Sequence, residues 1–292
     1  MDTRNIILAT ALSIGILLVW SVYFAPPPVL NEPITSELSE SSDSNEIDSD
    51  LGLGSLDEST DIIEENKILS LEDSISDSDR IEINTPGISG SIRLNGLIID
   101  DVTLKSYRET LDENSENIRF LSPLKTGDGH EVSFGWIQAK NSDFEIPNRN
   151  TPWKLISGSN VLNLNNELIF EWRNKTGQIF QSTIELDDEY LFKITQKIIN
   201  NGANGIIVNN AAKITRESTP TLSGMFILHE GLIGVLNEEL EQIDYDDLAE
   251  DKVYNFDSQN GWLGFTDKYW LTALIPEQGK SFKGIFSYDK NY

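Results

Sequence analysis

The chain has only two histidines, His130 and His229, and no cysteine, which narrows the chemistry its side chains can offer. Without cysteine there is no disulfide framework, no thiolate zinc site, no cysteine nucleophile and no acylated lipoprotein cysteine. Neither histidine has a second one at i+3 or i+4, so a helix-borne zinc pair is absent. His130 closes the stretch Thr126-Gly127-Asp128-Gly129-His130, which reads as a loop. His229-Glu230 is an adjacent histidine–carboxylate pair. On a strand its two side chains point to opposite faces and do not converge. Asp100-Asp101 and Asp246-Asp247 have the residue types for paired acid and base work, and in so acidic a chain they read as turn residues. There is no G-x-S-x-G elbow and no glycine-rich phosphate loop; Gly231-Leu232-Ile233-Gly234 lacks the strand-to-helix setting such a loop needs. Trp136, Trp153, Trp262 and Trp270 have the surfaces to line a sugar or peptide groove, but buried aromatics more often build a core, and they are read mostly as core. No catalytic, cofactor-binding or metal-ligating residue is therefore assigned.

The elements around these residues read as short strands. Leu168, Phe170 and Trp172 share one face, with Glu171 and Arg173 on the other. After a turn at Asn174-Lys175-Thr176-Gly177, the residues Phe180, Ser182, Ile184 and Leu186 repeat the pattern. Phe192, Ile194 and Ile198 mark another strand, ended by Asn200-Asn201-Gly202. Asn95-Gly96, between Ile92-Arg93-Leu94 and Leu97-Ile98-Ile99, has the preferred composition of a two-residue type I′ hairpin turn. Many strands at this spacing imply an antiparallel sandwich or barrel. The candidate helices are short, near Glu238–Gln242 or Tyr245–Glu250.

Upstream the texture differs. Ile6 to Ala25 is free of charge, and eleven of its twenty residues are Leu, Ile, Val or Phe. As a helix it is roughly 30 Å long, the thickness of a bilayer core. Those eleven side chains favour insertion by roughly 3–7 kcal/mol. The segment ends Val22-Tyr23-Phe24-Ala25-Pro26-Pro27-Pro28, a poor signal-peptidase site, so it reads as an uncleaved anchor spanning 1–25 with its N-terminus inside. Between Asn31 and Arg80 lie sixteen acidic residues, two basic ones and no aromatic. That composition cannot bury enough apolar surface to offset ordering, so 26–80 is expected to be a disordered acidic linker, and the folded β domain to occupy 81–292. The net charge of −26 argues against nucleic-acid binding, which needs basic residues to displace counterions.

Three stretches are similar to the YidC membrane protein insertases: Gly90-Ser91-Ile92 with Gly96-Leu97-Ile98-Ile99-Asp100-Asp101-Val102-Thr103-Leu104-Lys105-Ser106-Tyr107-Arg108-Glu109-Thr110; His229-Glu230-Gly231-Leu232-Ile233-Gly234-Val235; and Gly261-Trp262-Leu263-Gly264-Phe265-Thr266-Asp267-Lys268-Tyr269-Trp270-Leu271-Thr272-Ala273-Leu274-Ile275-Pro276. The opening Met1-Asp2-Thr3-Arg4-Asn5 before an apolar helix resembles the family's start. The resemblance implies an antiparallel β-supersandwich domain in the periplasm, held by one transmembrane helix in the bacterial inner membrane. It implies a non-enzymatic chaperone that helps membrane proteins insert and fold, alone or with the Sec translocon. The expected partners are nascent membrane proteins, Sec translocon components and the lipid bilayer, with no cofactor. The family's insertase core has five further apolar helices. This chain has no second apolar run of eighteen residues, so it is read as an N-terminal fragment whose β domain is truncated at its C-terminal end. The alternative is a membrane-anchored periplasmic carbohydrate-binding or epimerase-like β-sandwich protein, which the same fold also hosts.

Overall fold

The structure is a computed structural model and describes residues 68–139, 142–220, 229–249 and 253–288. The expected anchor at 1–25 and the linker up to residue 67 lie outside the described residues. Among the described residues no helix is long and apolar enough to cross a membrane.

The architecture is mainly β, with antiparallel sheets as the alternation demands. The first sheet contains β1 (Arg80–Asn84), β2 (Ile88–Arg93), β3 (Ile98–Arg108), β4 (Asn117–Leu121), β5 (His130–Gln138), β7 (Val161–Leu162) and β11 (Val208–Arg216). Its strand order is β11-β5-β3-β2-β1-β7, with β4 paired to β3. The second sheet runs β10-β9-β8-β6, from β6 (Lys154–Ser157), β8 (Glu167–Arg173), β9 (Gln178–Leu186) and β10 (Phe192–Asn200). β9 alternates strictly between buried and half-buried positions. Its inward residues Phe180 and Ile184 join Leu168 and Phe170 of β8 in one core with Ile83, Ile92, Val102 and Trp136 of the first sheet. Phe170 and Phe180 are fully buried, each worth about 1.5–3 kcal/mol relative to exposure. The two sheets thus close as a sandwich.

A smaller assembly follows. β12 (Gly231–Leu236), β13 (Glu239–Asp244), β15 (Gly261–Thr266) and β16 (Leu271–Leu274) form a sheet in the order β13-β12-β15-β16. β14 (Val253–Ser258) and β17 (Phe282–Ser287) form a separate two-stranded ribbon. They share a second core of Leu232, Leu236, Ile243, Leu248 and Phe286.

Several expectations shift. The chain is already ordered before residue 81: α1 (Leu71–Ser76) lies inside the stretch expected to be disordered. Ser70 caps it, accepting from the Asp73 amide at 3.1 Å. Glu72 and Asp73 occupy its first turn, where carboxylates complement the helix dipole. Just upstream, the Leu69 amide donates to the Lys125 carbonyl at 2.7 Å. The Glu217 carboxylate holds that same loop, accepting from the amides of Lys125, Gly127 and Gly129 at 3.0, 3.3 and 3.1 Å. These contacts, absent from any composition argument, offset the ordering cost.

Asn95-Gly96 is not a two-residue turn. Arg93 pairs with Ile98, leaving a four-residue loop, and the positive φ angles fall on Gly96 (81°) and Leu97 (55°). The Gly96 amide is drawn to the Thr151 carbonyl at 2.8 Å. The two-residue hairpin of that geometry lies instead at Asn237-Glu238, where both residues have positive φ and Leu236 pairs with Glu239. The candidate helix at Glu238–Gln242 is therefore corrected: Glu238 belongs to the turn, and the residues after it to strand β13 (Glu239–Asp244). The second candidate holds, as α2 (Tyr245–Ala249).

Candidate functional site

The most heavily built polar feature lies at the end of the first sheet. β3 carries Asp100 and Asp101 inside the apolar run Ile98-Ile99-Asp100-Asp101-Val102. Both are buried, at 1% and 8% exposure, so the turn reading is corrected: they are strand residues held by ion pairs. Arg80 of β1 pairs with Asp100 and donates through Nε to Ser91 Oγ of β2 at 2.7 Å. Ser91 Oγ donates on to Asp101 Oδ2 at 2.7 Å, and Arg119 of β4 pairs with the other oxygen of Asp101. One strand further, Glu131 of β5 is almost fully buried. It takes a two-pronged bond from Arg149, with Nη2 to Oε2 at 2.9 Å.

Burial pushes the Asp100 carboxyl up to about 6, against the pull of Arg80. Burial and the neighbouring Arg149 charge lower the Arg93 guanidinium from its ordinary value. Each of the three carboxylates is held by an arginine, while Nη1 of Arg80 is buried without a partner. Such a network fixes which strand lies beside which, and truncating one partner leaves a charge buried alone. Sequence reasoning missed it, although two acids flanked by apolar residues on both sides was the available signal.

The other candidates are scattered. His130 begins β5 rather than ending a loop, and is 7% exposed. Its ring rests near Phe120 (6.1 Å) and Phe265 (6.3 Å). Burial, then the Arg216 charge, lowers its pKa to about 3, so the ring is neutral. His229 precedes β12, with Nε2 2.8 Å from the Leu232 carbonyl and Nδ1 3.3 Å from Asp244. Glu230 follows it and is itself engaged. Asp246 and Asp247 occupy the first turn of α2. Trp136 and Trp153 stack at 6.0 Å in the core, both 3% exposed, as expected. Trp270 is half-buried and meets Tyr107 edge-on at 5.0 Å, and Trp262 is half-buried on β15. No histidine and carboxylate converge in an aromatic cleft among the described residues, and none of their His, Asp and Glu side chains group as a metal site.

A broad open hollow of about 720 Å³ lies beside β8–β10, lined by Leu164, Glu167, Glu185, Asp187 and Leu191. Lys193 bridges Glu185 across it at 2.6 Å. It lacks the convergent polar groups and the enclosure of a small-molecule site.

Comparison with known proteins gives the geometry its context. Residues 80–292 match the model of the YidC periplasmic domain. The membrane protein insertase YidC of Pelagibacter ubique is 37% identical over the whole chain, which covers 50% of that relative. The Bradyrhizobium diazoefficiens insertase YidC is 35% identical over 98% of this chain and 48% of its own length. That of Nitrobacter hamburgensis is 40% identical over 73% of this chain. The chain spans about half the length of the curated relatives it matches end to end. The matched region holds the whole sandwich, its ion-paired strands and the smaller assembly after it, and on that ground the chain belongs to the YidC periplasmic domain family.

Proposed function

We propose that this chain is the membrane-anchored, periplasmic part of a membrane protein insertase, assisting the insertion and folding of inner-membrane proteins, alone or with the Sec translocon. The observation that supports this most is the 37% identity with a YidC insertase across all 292 residues. That match takes in the apolar segment 6–25 as well as the β domain. On this reading residues 1–25 are the anchor, with the N-terminus cytoplasmic. The acidic stretch that follows is a tether ending near residue 67, and the β domain faces the periplasm. Nascent membrane proteins, translocon components and the bilayer are its partners. The domain itself works without catalysis, since its buried carboxylates are committed to arginines. The carbohydrate-binding or epimerase-like alternative finds no support in the placement of His130 and His229.

Depleting the gene tests the proposal: inner-membrane proteins of several unrelated types should accumulate uninserted. Normal insertion in depleted cells overturns it. A reporter active only in the periplasm, fused after Tyr288, should be active. Activity of a cytoplasm-only reporter at the same position refutes the topology.

A further inference from the structure

Along the seam between the two assemblies, two buried polar atoms lack a partner: Nε2 of His130 and Oδ1 of Asp267. The seam is otherwise apolar and closely fitted. Trp270 and Leu274, from the end of the smaller assembly, pack against the larger core. Phe265 of β15 meets the His130 ring and stacks on Tyr245 at 6.4 Å. An ion pair crosses it, from Arg216 Nη1 at the end of β11 to Asp267 Oδ2 at 2.7 Å. The register of β11 on β5 sets Arg216 directly opposite His130. Buried groups without partners are uncommon in folded proteins, and each asks for a reason.

We propose that this seam is an acid-labile latch: a second ring proton, on Nε2 of His130, buried beside Arg216 with no acceptor at that nitrogen, parts the smaller β-assembly (residues 229–288) from the sandwich.

The charged groups around His130 leave it no relief. Arg216 on β11 repels a second cation. Asp267, after β15, faces the seam from the smaller assembly and is taken by Arg216. Glu217 is turned to the loop amides. Asp128, on the same loop as His130, accepts from Ser218 at 3.4 Å. On β4, Arg119 is paired with Asp101. Glu230, whose charge bears on Tyr245, is itself engaged. Tyr245 stays neutral, its hydroxyl pushed by burial up to about 12. Opened to water, the imidazole regains its ordinary basicity. Because the closed-state pKa is lowered, closure is favoured above pH 6.5 and is progressively lost as pH falls from there toward 3. Linkage makes the opening equilibrium about 50-fold more favourable on going from about pH 6.5 to about pH 4.5.

The test is hydrogen exchange on the full 292-residue chain at about pH 7 and about pH 4.5, corrected for intrinsic exchange, over the window the linkage predicts. Strands β12, β15 and β16 should lose protection at the lower pH while β3, β8 and β9 keep theirs. His130→Gln should abolish the difference. His130→Phe, which fills the same place between Phe120 and Phe265, gives the same readout if the glutamine variant does not fold. Unchanged protection in the wild type overturns the proposal, as does simultaneous loss in all strands. An acid transition that survives in His130→Phe also overturns it.

Discussion

The two cores of this domain are stabilised in different ways. The larger joins two sheets around nineteen buried apolar residues and carries buried Arg–carboxylate pairs along one end. The smaller has five buried residues, and its Arg216–Asp267 pair is only part-buried. Its ribbon β14–β17 has only two strands, an arrangement that is marginal by itself and that depends on Leu232, Leu236 and Phe286 beneath it. The contrast teaches that a large apolar surplus lets a core carry internal charges that fix strand order, whereas a small core depends on what it leans against.

The sharpest way to break the comparison is to remove apolar bulk from each side. Phe180→Ala should cost about 3–5 kcal/mol and lower the urea midpoint of the whole domain. Leu236→Ala should cost about 2–5 kcal/mol, but exchange protection should be lost only in residues 231–286. Equal, global loss from both would show one undivided core. Next in size is the ion network. Arg80→Met strands Asp100 and should destabilise by about 3–5 kcal/mol, whereas the double variant with Asp100→Leu should recover most of that loss. No recovery in the pair would mean that the arginine acts through packing alone. Gly90→Ala should be comparably harmful, because at φ 155° its Cβ would lie 1.9 Å from the Asp101 carbonyl oxygen.

The pH dependence differs in sign between the regions. Asp100 has a raised folded pKa, so the folded state holds a proton that the unfolded chain has already released. Its contribution is therefore greatest below about pH 4 and is lost as pH rises toward 6. His130 has a lowered folded pKa and runs oppositely, with stability lost as pH falls below 6.5. Denaturant titrations of Asp100→Asn should remove the first slope and leave the second. The smallest expected effect is at the entry to the domain: Ser70→Ala should cost about 0.5–2 kcal/mol within α1 and leave the global urea midpoint unchanged. A shift of that midpoint would show that α1 belongs to the larger core.

The alternation of Leu168, Phe170 and Trp172, and of Phe180, Ser182, Ile184 and Leu186, was sufficient to place β8 and β9 and their inward faces, because a half-buried strand writes its burial into every second residue. Trp136 and Trp153 were legible as core because large aromatic side chains more often build a core. The polar network was not, because an acid in a turn and an acid paired beneath a sheet have the same letter. Only the arginines from residues 80, 119 and 149 tell them apart, and those come from distant positions. The hairpin at Asn95-Gly96 failed for a related reason: the Gly96 amide answers to Thr151, a partner far along the chain. Order at residues 68–79 depends likewise on Lys125 and Glu217, which lie beyond any local window.

That last attachment has a mechanical side. The Leu69 amide ends on the Lys125 carbonyl, and the loop carrying Lys125 is held by the three amides that share the Glu217 carboxylate. A pull applied upstream of residue 68 thus meets this loop before it reaches the ladder of β1. The carboxylate acts as a fuse, yielding while the sandwich stays whole, and setting how much tension reaches the fold.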